Sequence, residues 1–221
     1  MQPIQLRPEH PADHRAVEEL TRDAFWNFYS PGCVEHYLTH ILRSSPDFVE
    51  ELDYVAVCGD TVVGSILYTR ANILLDNGGK QEILCFGPLA VAPAVQRQGI
   101  GRQLISHTAQ LARELGYAAI LIYGDPDYYS RQGFVPAERF AIGSAEGAYI
   151  DSLQAMELRP GALAGCAGLF QESPSYQVDP DEVLRFDAAF PPKEQRSGLP
   201  SQERFAQLIT QTKPRQIPGG R

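Results

Sequence analysis

The sequence predicts a mixed α/β (α+β) fold, and three observations lead to that prediction. Two β-rich runs, residues 54–58 and 61–69, flank Gly59-Asp60, a pair typical of a hairpin turn. Apolar residues recur at helical spacing between residues 11 and 25. An apolar strand ending at Val91 precedes an amphipathic helix and a second apolar run at residues 118–123. A strand, a helix and a strand in this order form a crossover between two parallel strands.

The N-terminal elements follow from short-range patterns. Residues 4–7 predict a strand that Pro8 ends, and residues 34–42 predict a second helix. The turn residues 76–79 lead into a further strand at residues 83–91. This half of the chain is therefore expected to alternate short strands with helices.

The helix after Val91 has the clearest pattern in the chain. It opens near Gly99, and Gly116 is well placed to end it in the left-handed conformation. Its apolar residues share one face: Ile100, Leu104, Ile105, Thr108, Leu111, Ala112 and Leu115. The opposite face is polar, so the helix is expected to cover a sheet.

The composition changes near residue 160. Residues 1–160 are expected to form one domain, and residues 161–221, punctuated by Pro, Gly and Ser, a C-terminal extension packed on it. Helical patterns occur near residues 181–189 and 202–211. The last eight residues or so are expected to be disordered.

Charge and apolar patterning exclude several classes of function. The net charge is −8, from 19 basic and 27 acidic residues, which disfavours binding to nucleic acid. No apolar run is long enough to cross a bilayer, and the first residues lack the pattern of a secretory signal. A cytoplasmic protein without membrane contact is expected. The four cysteines lack metal-ligand spacing, and His36 and His40 lack the partners of a zinc motif, so no metal is expected.

The turn between the strand and the helix has the features of a phosphate-binding site. The first amides of a helix have no partner within it and lie at the positive end of its dipole, so they bind phosphate oxygens. Glycine at 99 and 101 lets a diphosphate approach those amides, and Arg97 and Arg102 can add full charges. A dinucleotide-binding fingerprint would need glycine where Leu104 stands, and no P-loop sequence occurs.

The same segment resembles the acetyl-CoA motif of the GNAT superfamily of N-acetyltransferases. The matching residues are Leu89, Ala90, Val91, Pro93, Gln96, Gly99, Ile100, Gly101 and Leu104. A second motif of that family, Tyr-x-x-x-Gly-Phe, fits Tyr129, Gly133 and Phe134. The resemblance spans residues 1–157, and the Asp-Pro-x-Tyr-Tyr segment with the long extension is most similar to the bacterial YhbS-like subgroup. One departure is Ile122, where many family members carry an asparagine that contacts the cofactor.

The resemblance implies both a fold and a co-substrate. The fold is a twisted, mixed and mostly antiparallel sheet with a central, splayed pair of parallel strands flanked by helices. Acetyl-CoA would be bound by the following residues: Leu89, Ala90, Val91, Gln96, Arg97, Gln98, Gly99, Ile100, Gly101 and Arg102. The family carries a bulge in the strand before the turn, and Gly87 and Pro88 fit such a bulge, because proline donates no backbone hydrogen bond and glycine tolerates the distortion.

The implied reaction transfers an acetyl group to a primary amine, either a small molecule or an amino terminus, by direct attack in a ternary complex. Tyr129 is the candidate acid for the leaving thiolate, because phenol and thiol pKa values are close. The general base stays open between carboxylates such as Glu82 and Asp53. The alternatives are a non-catalytic acyl-CoA sensor on the same fold, a longer-chain acyltransferase and an O-acyltransferase. Either a monomer or a homodimer fits the sequence.

Overall fold

The computed structural model describes residues 3–216. The disorder expected for the last eight residues or so stays a prediction, and residues 217–221 of that stretch lie outside the described residues. The helices are α1 (His14–Phe25), α2 (Glu35–Leu42), α3 (Ile100–Glu114), α4 (Pro126–Tyr129), α5 (Pro180–Asp187) and α6 (Pro200–Thr210). The strands are β1 (Ile4–Pro8), β2 (Tyr54–Cys58), β3 (Thr61–Ile66), β4 (Tyr68–Leu75), β5 (Lys80–Phe86), β6 (Ala90–Val91), β7 (Ala119–Tyr123), β8 (Val135–Pro136), β9 (Ile142–Gly143), β10 (Ala148–Ile150), β11 (Leu153–Glu157), β12 (Gly168–Gln171) and β13 (Thr212–Pro214).

The chain divides into two compact units. The first contains the described residues up to Thr69, Gly87–Thr108 and Pro174–Glu203. The second contains Arg70–Phe86, Ala109–Ser173 and the described residues from Arg204 onward. Residues after 160 therefore contribute to both units, and the predicted boundary at residue 160 stays a prediction.

The first unit is built on an antiparallel sheet with the strand order β1-β2-β3-β6. Helix α1 packs on this sheet, and Val17 of α1 forms a buried cluster with Val55 and Val57 of β2. The apolar spacing that predicted α1 therefore marks the face that the helix buries.

The second unit is built on a seven-stranded sheet with the order β8-β11-β7-β5-β4-β12-β9. Strands β5 and β7 run parallel, with Leu84 paired to Ile120. The pairings of β7 with β11, of β11 with β8 and of β4 with β12 are antiparallel. The crossover predicted around α3 is therefore confirmed, as is a mixed and mostly antiparallel fold.

Two predicted strands are each divided in the structure. The run at residues 61–69 ends at Ile66, and the chain begins β4 in the other sheet at Tyr68. The run at residues 83–91 is interrupted between Phe86 and Ala90. The second interruption contains Pro88, which donates no backbone hydrogen bond. The sequence predicted a bulge within one strand at this point, and the structure has a break between two strands.

Candidate functional site

The turn before α3 has a strained backbone. Arg97 adopts a left-handed conformation with φ of 62°, and Gly99 has φ of 83°. A non-glycine residue in this region costs on the order of 1 kcal/mol or more. The Gln96 side chain donates a hydrogen bond of 3.0 Å to the carbonyl of Val91, which ties the turn to the end of β6. Strain held in place by such a bond is typical of functional turns.

The start of α3 is fixed by close packing on β3. Ile100 and Leu104 are buried, and a Cβ on Gly64 would lie 3.0 Å from Ile100 and 3.2 Å from Leu104. Gly64 also pairs with Val91 across the sheet, which places β6 beside the helix start. The glycine therefore lets the helix approach the strand and sets the position of the turn.

The outer side of the turn is open. The first intrahelical bond runs from the amide of Gln103 to the carbonyl of Gly99, 3.0 Å away, so the three preceding amides have no carbonyl within the helix. A Cβ on Gly99 would have no heavy atom within 4 Å. Arg97 and Arg102 are exposed beside it. The turn therefore offers amides, cationic side chains and free space, which suit an anionic ligand.

The remaining residues predicted to bind the co-substrate lie before the turn. Ala90 is buried and Val91 half-buried, and both pair with β3. Leu89 is half-buried in the break before β6. The first unit thus brings residues 89–91 and 96–102 together along one short stretch of chain.

Tyr129 ends α4, directly after β7. Asp125 caps this helix by accepting the amide of Asp127 at 2.9 Å, and Pro126 occupies its first turn. The Tyr129 ring lies against Gly124, where a Cβ would come within 2.1 Å of the ring. Only glycine at position 124 allows this placement of the phenol.

The aromatic neighbours of Tyr129 explain the second sequence motif. Gly133 has φ of 93° and turns the chain back, so that the buried ring of Phe134 meets Tyr129 at 5.4 Å. Phe86 of β5 lies 5.9 Å from Tyr129, between ring centroids. The spacing of Tyr, Gly and Phe therefore serves to place the Tyr129 ring beside the carboxyl end of β5.

An arginine from the C-terminal extension supports this helix. Arg204 Nε and Nη2 donate to the two carboxylate oxygens of Asp125 at 3.1 and 3.0 Å, and Nη2 also donates to Asp127 at 2.9 Å. Hydrogen bonding to Arg204 lowers the pKa of Asp125. Sequence analysis missed Arg204, since nothing in the local pattern joins positions 79 residues apart.

A second residue that sequence analysis missed is Glu172, directly after β12. Its carboxylate accepts from the Cys85 thiol, with 3.8 Å between Oε1 and Sγ. Burial raises the pKa of Glu172 to about 7, and the charge of Glu146 adds to the rise while the Cys85 hydrogen bond opposes it. Burial, with the charges of Glu172 and Glu146, also raises the pKa of Tyr123 at the end of β7. A carboxyl group that titrates near neutrality therefore lies beside the end of the parallel strand pair.

The two carboxylates considered from the sequence have other environments. Glu82 is exposed on β5. Asp53 is buried beside Glu9, and burial together with the charge of Glu9 raises its pKa far above the ordinary value. Arg43 binds Glu9 at 2.6 Å and Glu18 at 3.2 Å. This network lies within the core of the first unit.

Another buried network joins α1, α2 and α5. Arg22 binds Asp187 at 2.6 Å, and His36 lies 3.0 Å from the same carboxylate. His36 Nδ1 also contacts the Cys33 thiol at 3.2 Å. Burial raises the pKa of Cys33 to about 12 and lowers that of His36 to about 4, so both groups are neutral at pH 7. The network holds helices together and contains no activated nucleophile.

Residues 3–216 contain no group of three or more His, Cys, Asp or Glu side chains that could hold a metal ion. Within the part of the chain that the structure describes, none of the helices has the length and apolar character needed to cross a membrane.

The comparisons with known proteins agree on one family that this chain resembles. A family model described as an acetyltransferase (GNAT) domain matches residues 51–136. The chain is 29% identical to the uncharacterised N-acetyltransferase YhbS of Escherichia coli K12 over 167 residues, 75% of this chain and 94% of YhbS. The crystal structure of Escherichia coli YhbS in complex with CoA matches with a TM-score of 0.70 and 26% identity, over 80% of this chain and 93% of that one.

A GNAT family acetyltransferase from Brucella melitensis, solved in complex with acetyl-CoA, shares the fold at a TM-score of 0.64 and 22% identity, over 80% of this chain and all of that one. The motifs at the turn and at Tyr129 lie within the span that matches the family model. Residues 51–136 therefore match an acetyltransferase (GNAT) domain, and the chain has the fold of the GNAT structures that it resembles.

Proposed function

We propose that this protein is an N-acetyltransferase that moves the acetyl group of acetyl-CoA to a primary amine, by direct attack within a ternary complex. The observation that carries the proposal is the open, strained turn at residues 96–101, where unpaired amides, two arginines and free space at Gly99 meet. The solved complexes of relatives with CoA and acetyl-CoA support the choice of anionic ligand.

Two segments of the chain would bind different parts of acetyl-CoA. The amides of residues 98–101 would donate to diphosphate oxygens, and Arg97 and Arg102 would supply positive charge. The backbone of Leu89, Ala90 and Val91 would pair with the amide-bearing arm. The space beside Gly99 fits this role, because any Cβ there would project toward the phosphates.

Acetyl-CoA supplies an activated thioester, so no enzyme nucleophile is required. In the proposed mechanism Tyr129 donates its phenolic proton to the sulfur as the carbon–sulfur bond breaks. Gly124 and Phe134 hold the ring in place for this step. A phenol and a thiol with ordinary pKa values of about 10 and 8.5 exchange a proton without a large barrier.

The test is thiol release from acetyl-CoA in the presence and absence of a panel of primary amines. We expect amine-dependent release, and Tyr129→Phe should lower the turnover about 100-fold while changing acetyl-CoA affinity no more than a few-fold. Tyr128→Phe is the matched control, because Tyr128 is the adjacent tyrosine and is more exposed. Equal turnover in Tyr129→Phe and wild type would remove Tyr129 from the mechanism.

Binding of acetyl-CoA without release for any amine would instead indicate a sensing module. The amine acceptor, the cytoplasmic location and the monomeric or dimeric state expected from the sequence remain predictions.

A further inference from the structure

Helix α4, which ends at Tyr129, is too short to be stable by itself. It comprises only the four residues Pro126–Tyr129, and the amides of Tyr128 and Tyr129 both donate to the carbonyl of Asp125 at 3.0 Å. A single helical turn does not recover the conformational entropy that its formation costs. The orientation of Tyr129 therefore depends on what holds Asp125, besides the contacts of the tyrosine ring.

The carboxylate of Asp125 has two roles at the start of α4. Its Oδ1 accepts the amide of Asp127 at 2.9 Å, which caps the helix. Both of its oxygens also accept from the guanidinium of Arg204, at 3.1 and 3.0 Å, and the same guanidinium reaches Asp127 at 2.9 Å. A forked pair of charge-assisted hydrogen bonds fixes direction as well as distance. Arg204 therefore orients the residue whose carbonyl binds the amide of Tyr129.

Arg204 comes from a part of the chain outside the matched domain. It lies in α6, 79 residues after Asp125, whereas the match to the family model ends at residue 136. Arg204, Asp125 and Tyr129 all belong to the second compact unit. The C-terminal extension thus binds directly to the helix that carries the candidate acid.

We propose that Arg204 is a positioning residue for the acetyl transfer, which acts through Asp125 to keep the phenol of Tyr129 in the orientation that proton transfer to the sulfur needs. The proposal rests on the proposed function. Arg204 itself exchanges no proton and touches no reacting atom. It limits the directions in which the phenol points, and a displacement of about 1 Å lowers a rate by up to about 100-fold.

The exposure of this ion pair separates catalytic positioning from general stability. The side chains of Arg204 and Asp125 are 40% and 35% exposed. Ion pairs at this exposure contribute little to the free energy of unfolding, because water and salt screen the charges. Removal of the guanidinium should therefore leave the protein folded, and a loss of turnover then reports on the placement of α4.

The first experiment measures kcat and KM for acetyl-CoA by amine-dependent thiol release. Arg204→Gln should lower kcat about 10-fold and change KM for acetyl-CoA no more than a few-fold. Arg204→Lys should fall between wild type and Arg204→Gln, because lysine keeps the charge but cannot form the fork. Lys213→Gln is the matched control, since it breaks another exposed ion pair of the extension, with Glu138, and should match wild type. Equal kcat in Arg204→Gln and wild type overturns the inference.

A double-mutant cycle shows whether Arg204 acts through the phenol. In a Tyr129→Phe background the proton donor is already absent, so Arg204→Gln should cause no further loss of kcat. The same fold-loss in both backgrounds would mean that Arg204 acts elsewhere, and it overturns the inference. Asp125→Asn still accepts the amide of Asp127 but offers only one oxygen to the guanidinium. It should reproduce the loss seen in Arg204→Gln, and combining the two substitutions should add little.

A second measurement does not depend on turnover. Amide hydrogen exchange at Tyr128 and Tyr129 should be about 10-fold faster in Arg204→Gln than in wild type, because the carbonyl of Asp125 is then held less firmly. The amide of Leu115, which donates to the carbonyl of Leu111 at the end of α3, should exchange at the same rate in both proteins. Unchanged exchange at Tyr129 overturns the inference even if the wild-type enzyme is active. Absence of amine-dependent thiol release in wild type overturns the proposed function itself, so the two failures are distinguishable.

Discussion

Gly99 allows a substitution that separates a ligand-binding turn from a turn with only a structural role. A Cβ at this position would meet no heavy atom within 4 Å, so Gly99→Ala creates no clash within the protein. Its cost to folding is the left-handed backbone, φ of 83°, which disfavours alanine by about 1 kcal/mol. The methyl group would, however, stand in the space proposed for the diphosphate.

The loss of affinity can be worked from the same geometry. If the methyl group keeps one phosphate oxygen from one amide, a charge-assisted hydrogen bond of about 1.5–3 kcal/mol is lost. Since 1.4 kcal/mol corresponds to a factor of ten, acetyl-CoA should bind about 10- to 100-fold more weakly. Isothermal titration calorimetry with acetyl-CoA measures this change, and urea unfolding measures the change in stability.

Gly116 is a matched control at the other end of the same helix. It too has a left-handed conformation, φ of 92°, and open space around its Cβ position. Gly116→Ala should therefore cost a similar free energy of unfolding and leave the affinity for acetyl-CoA unchanged. Equal affinities in wild type, Gly99→Ala and Gly116→Ala would refute the assignment of the diphosphate to this turn.

Three further substitutions test other parts of the structure. Arg97→Gly relieves a left-handed arginine, so the protein should gain about 1 kcal/mol of stability while acetyl-CoA binding weakens; a gain in affinity would contradict the proposed role. Asp53→Asn removes a carboxyl group whose pKa in the folded state is raised by burial and by Glu9. This carboxyl group contributes fully to the free energy of unfolding at low pH, and the contribution is lost as the pH rises. Wild type should therefore lose stability relative to this variant as the pH rises from 5 to 8, and parallel unfolding curves would refute the raised pKa of Asp53. Asp187→Asn leaves the buried Arg22 without its carboxylate and should cost about 3 kcal/mol in urea unfolding, whereas Asp181→Asn on the exposed start of α5 should cost little.

Local patterns were sufficient for the elements that carry the acetyl-CoA motif. The helical spacing after Gly99 and the glycine at 116 predicted α3 within a residue of its observed ends. Pro88 predicted a distortion of the strand at the place where the structure separates β5 from β6. These features depend on backbone conformation and on one buried face, and neighbouring residues determine both.

The residues that local patterns missed are brought in by distant parts of the chain. Glu172 meets Cys85 across 87 positions, and Arg204 meets Asp125 across 79. A glutamate after a short strand and an arginine in an exposed helix are common residues with no special spacing. Their significance depends on sheet order and on the packing of the C-terminal extension, which a single sequence does not encode locally.

The same reasoning explains why Asp53 and Glu82 were considered as bases. Both stand near strand ends in the sequence, but the side chain of Glu82 faces solvent and that of Asp53 faces Glu9. Position along a strand does not determine which face is covered. For Asp53, burial and the charge of Glu9, which comes from another element, raise the pKa.

Titration of the wild-type protein with acetyl-CoA, followed by amide NMR and by thermal unfolding, tests the central claim most directly. We predict saturable shifts of the amides of Gly99, Ile100 and Gly101, and a stabilisation approaching about 2.7 kcal/mol when the ligand reaches a hundred times its Kd. Unchanged amide spectra and an unchanged Tm at millimolar acetyl-CoA would contradict the claim that this turn binds acetyl-CoA.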